Sequence, residues 1–415
     1  MVVKPELLAP IQDFISLQAA IQGGCDAVYF GVRGFNMRAG AKNFTVADLK
    51  KIAGICHKNK IRAYLAVNTI IYQDELKNIE SILKKARAAG VDAIICWDMA
   101  VLQTAKKLGH KIHLSTQASI SNSAAAEFYK AAGVERIILA RECLLGDIKK
   151  INMALNPMGK KIAIGLEIFI HGAMCVSVSG RCFLSGFNYG KSANRGECLQ
   201  SCRRRYLIKE IEEGKEFEIG EDYVLSPKDL CALPFIEKLF QSGAVSFKIE
   251  GRNRSPEYVR TVTGVYRRAI DEYFENNKKK DFKKRFEALK TELLRELKTV
   301  YNRDFSDGFY LGKPVNQWTH SYGSRATEKK IHLGKVVHFY NKISVAEIAI
   351  QAGKNLKAGD EIYIQGPATG VFRQKVNSME SEHRQIKKAG QGDIVAIKTN
   401  KLVRANDLAY KIVKN

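Results

Sequence analysis

The 415 residues are 46% hydrophobic and 27% charged, with 8 prolines and no low-complexity tract, a composition that excludes a disordered chain and, at this length, a single average domain. Lys and Arg number 67 against 43 Asp and Glu, a formal charge of +24, which points to a polyanionic partner, nucleic acid ahead of an acidic membrane surface. No window approaches 18 uninterrupted apolar residues and the opening "MVVKPELLAPIQDF" lacks the pattern of a secretory signal, so a cytoplasmic location with no membrane attachment is expected.

Eight short apolar runs follow in chain order: "PELLAP" (5–10), "DAVYFG" (26–31), "IRAYLAVN" (61–68), "DAIICWD" (92–98), "KIHLSTQAS" (111–119), "ERIILA" (135–140), "IAIGLEIFIHG" (162–172) and "AVSFKIEGR" (244–252). Between them lie helical patterns such as "FTVADLKKIAGICHKNK" and "ELKNIESILKKARAAG", the second closed by a glycine. Strand and helix alternating to eight predicts an α/β fold, a (β/α)8 TIM-like barrel. One gap is long, and residues 173–230 read as an insertion after strand seven, over the face where barrels of this kind build active sites. Two long helices after strand eight complete a unit spanning 1–311. Residues 312–330 read as a linker, and 331–415, where strand-like runs alternate with turn residues, as a small β-barrel.

The insertion carries four of the nine cysteines. Cys175 and Cys182 are separated by six residues, Cys182 and Cys198 by fifteen, Cys198 and Cys202 by three, and Cys231 follows 28 residues later. Four thiolates satisfy either a tetrahedral zinc or an iron-sulfur cluster, and with only one close pair the spacing suits the larger cluster better than a zinc ribbon. Arg181, Arg203, Arg204 and Arg205 flank the sulfurs, where they lower thiolate pKa values and offset cluster charge. Gly180, Gly186, Gly190 and Gly196 allow tight turns that aim amide N–H groups at sulfur. Cys25, Cys56, Cys96 and Cys143 lie in apolar stretches and read as core.

The stretch "EIFIHGAMCVSVSGRCFLS" resembles the signature of the U-32, or collagenase-like, peptidase family throughout. The resemblance extends to "PELLAP", "DAVYFG", "NFT", "HLSTQAS", "RGECLQSCRRRY", "SPKDL", "FKIEGRNRSPEYV" and "YNRDFSDGFYLG". The C-terminal part looks like the family's small barrel, which is itself similar to the second domain of translation GTPases. The match is closest to the family's tRNA-hydroxylating branch, which implies oxygen-independent formation of 5-hydroxyuridine at the tRNA wobble position, with prephenate as hydroxyl source. Relatives hydroxylate ribosomal RNA or quinone precursors. In the quinone branch four cysteines hold a four-iron four-sulfur (4Fe-4S) cluster, and these fall on Cys175, Cys182, Cys198 and Cys202, leaving Cys231 a non-ligand. Asp304 stands where many relatives have glycine.

Neither His-Glu-x-x-His nor Gly-x-Ser-x-Gly occurs, so His171 beside Cys175 is the best dyad a peptidase reading can offer. A hydroxylase accounts for more of the chain than a peptidase or a non-catalytic RNA-binding protein. Glu167, His171, Lys248, Glu250 and Arg252 end barrel strands and are the expected catalytic set, with Asn68 and Gln117 beside them for substrate. Lys248 and Arg252 are the preferred pair for an acidic co-substrate, Arg38 and Arg141 alternatives, and Glu167 and Glu250 handle protons or fix those cations. Arg181, Arg203 and Arg205 are expected to meet RNA phosphate. A protein partner subunit is compatible with this arrangement.

Overall fold

A computed structural model describes residues 3–157, 162–204, 206, 208–209, 211–213, 216–217, 225–351 and 353–415. Strands β1 (Glu6–Pro10), β2 (Ala27–Gly31), β3 (Arg62–Ala66), β4 (Ala93–Cys96), β5 (Ile112–Leu114), β6 (Arg136–Ile138), β7 (Gly165–Gly172) and β8 (Ser246–Ile249) pair in parallel in that order. The ring closes because β8 pairs in parallel with both β1 and β7. Each strand is buried along nearly its whole length, as parallel strands covered by helices on the outside must be. The helical patterns become Leu49–Lys58 and Leu76–Ala88, which bury Ile52 and Cys56, and Ile79 and Leu83, against the barrel. Gly90, past the end of the second, has φ +79°, the left-handed turn that the sequence pattern anticipates.

One strand escapes the sequence pattern. Asp229–Cys231 pairs antiparallel with the end of β7, Leu230 opposite Gly172 and Cys231 opposite His171, and in parallel with Phe305–Ser306. The chain thus leaves the barrel at Gly172 and returns to the same residue. Asp304, just before this contact, has φ +60°, a conformation suited to glycine that aspartate tolerates, and its carboxylate takes the Arg325 guanidinium at 3.1 Å.

Residues 312–327 run along the barrel: Lys228 N–H donates to the Gln317 carbonyl at 3.0 Å and Thr319 N–H to that of Ser226 at 2.9 Å. The first C-terminal strand, Glu328–Tyr340, starts within the stretch read as a linker. It belongs to an eight-stranded antiparallel sheet with its own apolar core, Val336, Ile348, Ile364 and Val395 among it. This sheet rests on the barrel through Gln22, whose amide donates to the Thr369 carbonyl at 2.8 Å, and through an ion pair of Lys330 with Glu257 at 2.8 Å. Among the described residues no helix is long and apolar enough to cross a membrane.

Candidate active site

Alternation along the strands sends every second side chain into the barrel, and these form two polar layers. In the lower layer Arg136 reaches Glu6 at 2.5 Å and Glu167 at 3.2 Å, Tyr64 donates to Glu6 at 2.8 Å, and Lys248 Nζ lies 2.9 Å from Glu167. Burial alone would raise the Glu167 carboxyl, but Lys248, Arg136 and His113 outweigh it and hold it down at about 2. Glu167 is fully buried beneath the site, where it fixes Lys248; of the two roles expected of it, handling protons or fixing the cations, its place suits the second.

The upper layer encloses a cavity of about 40 Å³. Lys248, Arg252, Arg38 and Arg141 contribute four cations to its wall, against the single carboxylate of Glu250. Arg38 donates to Glu250 at 2.8 Å, and Arg141 lies 3.8 Å from its other oxygen. Burial raises the Glu250 carboxyl, yet Arg38, then Arg141 and Arg252, bring it down to about 2. Arg252 donates to Asn36 at 3.1 Å, while its Nε is buried without a partner. Burial, with Arg38 beside it, lowers this guanidinium to about 10. Lys248 is likewise lowered by burial, opposed by Glu167. A buried wall with surplus positive charge and an unpaired donor is incomplete without an anion. Tyr29 and Phe169 give the apolar sides: Lys248 Nζ lies 4.3 Å from the Tyr29 centroid and the Arg141 guanidinium 4.0 Å from that of Phe169.

Opposite the cations stand neutral groups. Asn68 donates to Gln117 at 3.2 Å and Ser115 bonds the same Gln117 oxygen. Sequence reasoning singled out Asn68 and Gln117 but passed over Ser115, Thr116, Tyr29 and Phe169; the first two sit beside Gln117 in "LSTQAS" at a strand end, which was signal enough.

His171 does not join the site. Between Lys248 and Ile249 the register of β8 on β7 slips by one, so Ile170 is bulged, and the bulge reverses the alternation that put Glu167 and Phe169 inward. His171 packs instead among Tyr258, Tyr266 and Phe305, with Nδ1 3.3 Å from the Tyr266 hydroxyl. Burial, then Arg254, lowers it to about 3. No histidine lines the cavity just described or the larger one above it, so the Cys–His dyad does not form.

That larger cavity, about 430 Å³, shares Arg38, Thr116, Gln117, Arg141 and Glu250 with the lower one, and the insertion roofs it. Cys175, Cys198 and Cys202 line the roof. Cys182 stands close enough to act, with the other two, on the charge of Cys202, whose thiol burial raises and Arg203 opposes. Leu184 N–H points to Cys182 Sγ and Gln200 N–H to Cys198 Sγ, each at 3.4 Å, and Cys175 Sγ lies 3.0 Å from the Ser177 hydroxyl. The amide donors at sulfur are thus Leu184 and Gln200 rather than the glycines. Cys231 is buried and lines neither cavity. Among the described residues no three His, Cys, Asp or Glu are gathered so as to hold a single metal ion.

Gly196 and Arg195 hold the insertion down. Gly196 has φ +87°, and a Cβ there would lie 2.3 Å from the Asn36 carbonyl of the β2 loop. Gly196→Ala is therefore expected to lift the insertion from the barrel at a cost of about 1–3 kcal/mol, seen as faster limited proteolysis within residues 173–204 while the barrel fragment persists. Arg195 donates to Ile70 carbonyl at 2.5 Å and pairs with Glu75. Arg203 lines the upper cavity, its guanidinium fixed there by bonds to Ser226, Pro227 and Met174. Arg181 is exposed and bonds Ser119 at 3.0 Å; Arg205 lies outside the described residues. Arg254 and Arg303, not anticipated from sequence, line the upper cavity.

Fold and site together define a (β/α)8 barrel whose cation-walled mouth lies under a four-cysteine roof. The chain belongs to peptidase family U32, whose model matches residues 12–320. It is 42% identical to a collagenase of Porphyromonas gingivalis, over 99% of this chain and 98% of that one, and 42% identical, over the same shares, to an uncharacterized protease of Methanocaldococcus jannaschii. To the tRNA hydroxylation protein P1 of Bacillus subtilis it is 33% identical, over 91% of this chain and 87% of the relative.

Proposed function

We propose that the protein is an RNA hydroxylase that works without oxygen, placing a hydroxyl on C5 of the tRNA wobble uridine, with prephenate as hydroxyl source and a 4Fe-4S cluster on Cys175, Cys182, Cys198 and Cys202. The observation that carries this reading is the wall that the two cavities share, Arg38, Thr116, Gln117, Arg141 and Glu250, with Lys248 and Arg252 below it and Cys175, Cys198 and Cys202 above. Lys248 Nζ and the unpaired Arg252 Nε would meet a carboxylate of an acidic co-substrate in the lower cavity, which has room for that group alone, and the rest of the molecule would extend past Arg38 and Arg141 into the upper one. Glu250 holds Arg38 and Arg141 in place for the same anion. The upper one is wide enough for a nucleotide, with Arg254 and Arg303 on its wall for phosphate.

The donor set fits a cluster: four thiols on one insertion, two of them already accepting backbone N–H groups, as cluster sulfurs do. Zinc, the alternative metal, would be held by the same four thiolates, but with one close pair among them the spacing suits the larger cluster better. Bound there, a cluster would supply electron-transfer or Lewis-acid capacity over the mouth. The name of the Bacillus subtilis relative supports an RNA substrate. The protease names of other relatives find no support at the mouth, where His171 is turned away. Nucleoside mass spectrometry of tRNA from a deletion strain tests the proposal: 5-hydroxyuridine and its derivatives should disappear and return with the intact gene, and unchanged levels with no paralogue present would sink it.

A further inference from the structure

The roof carries a feature that neither cavity uses. Its only α-helix among the described residues, Leu184–Tyr189, buries Ser185 and turns its aromatic residues outward. Phe187 is 89% exposed and Phe183 69%, their ring centroids 6.1 Å apart, the geometry of an i, i+4 pair on one helix face. Exposing two phenylalanines costs solubility and contributes nothing to the core, so such a pair marks a contact surface. One turn on, the Arg204 guanidinium lies 5.6 Å from the Tyr189 centroid and donates to its hydroxyl at 3.0 Å. At the roof's junction with the β3 loop, Arg195 lies in the same way over Tyr72, which is 57% exposed.

The charge around these rings favours one partner. Residues 173–204 contain five Lys and Arg and a single acid, Glu197. Aromatic faces interleaved with cations bind unpaired nucleotides, because every base has a face to stack and every nucleotide a phosphate, whereas a duplex keeps its base faces occupied. An anionic membrane would also attract this charge, but lying flat against the roof it would leave the cavity behind it nothing to act on. Phe183 directly follows Cys182, so the surface begins one residue from the cysteine group.

We infer that Phe183, Phe187 and Tyr189, with Arg204, form a stacking platform for unpaired nucleotides that flank the one entering the mouth. The inference rests on the RNA reading above and adds to it that the RNA is held by its single-stranded loop. The test measures binding of the full-length protein to a labelled RNA stem-loop and to a blunt RNA duplex of equal length. Phe183→Ala/Phe187→Ala should weaken stem-loop binding about tenfold or more and leave duplex binding and the salt dependence of both unchanged; Phe187→Tyr should retain wild-type binding. Because both side chains are exposed, the melting temperature should not move. Unchanged stem-loop binding by the double variant overturns the platform while leaving the RNA reading intact, as does equal loss on both RNAs. A wild-type protein that binds neither RNA at low salt overturns both. Loss of binding to phosphatidylglycerol vesicles, with RNA binding unaffected, would reassign the surface to a membrane.

Discussion

Cys202→Ser protein, purified without oxygen, is expected to lose iron and sulfide about tenfold or more relative to wild type, while Cys231→Ser protein keeps both. Either thiol could complete the set by count alone, and the structure separates them. Cys202 is half-buried, faces the upper cavity with Cys175 and Cys198, and lies within reach of the charge of all three other roof cysteines. Cys231 is 2% exposed on the strand that pairs with β7, its sulfur 3.8 Å from the Tyr266 hydroxyl, and burial raises its thiol to about 11. Burial raises both thiols, so what separates them is place: Cys202 faces the open volume beside the other roof cysteines and Cys231 faces none. Equal loss from both variants would mean that Cys231 moves to the cluster or that its replacement disturbs the roof's anchor.

Glu167→Gln should lower stability by about 3–5 kcal/mol, measured by urea unfolding at pH 7. Glutamine keeps the shape and removes the charge, which leaves Lys248 buried without its 2.9 Å partner, whereas Arg136 still has Glu6. The pH dependence follows from the direction of the shift. The folded carboxyl sits at about 2, below the roughly 4.3 of an unfolded glutamate, so its contribution is complete above about pH 5 and is lost as the pH falls toward 2. The gap between wild type and Glu167→Gln should therefore be widest near neutrality and narrow below pH 4. A constant gap would show that the variant acts through packing alone. Anion binding should weaken in parallel, since an unpaired Lys248 loses the carboxylate that favours its charged form.

The barrel was legible because eight parallel strands, buried on both sides, appear as continuous apolar runs, and the spacing of "DAVYFG" or "DAIICWD" leaves little else for them to be. Asp229–Cys231 was not legible, being three residues long and held by pairing partners far away in the chain. The site divides the same way. Lys248, Glu250, Arg252, Asn68 and Gln117 could be named because strand ends converge at the mouth. The placement of Glu167 beneath it and of His171 outside it depends on depth along the barrel and on one bulged residue in β7, neither of which leaves a mark in composition or periodicity. Arg203 shows a third limit: a run of arginines looks like a phosphate site, yet part of this guanidinium is already taken by carbonyls of its own chain, which no pattern in the sequence announces.

The pairing of Leu230 with Gly172 has an architectural consequence. The roof is a loop tied off at its neck, so its interior can lengthen, shorten or exchange its surface without changing the distance between its two ends, and closing such a loop costs only logarithmically more as it grows. The barrel beneath meets the same neck whatever the loop's length, with Gly196 and Arg195 adding contacts inside it. The roof can thus diverge while the cation-walled floor, built from the ends of the barrel strands, stays as it is.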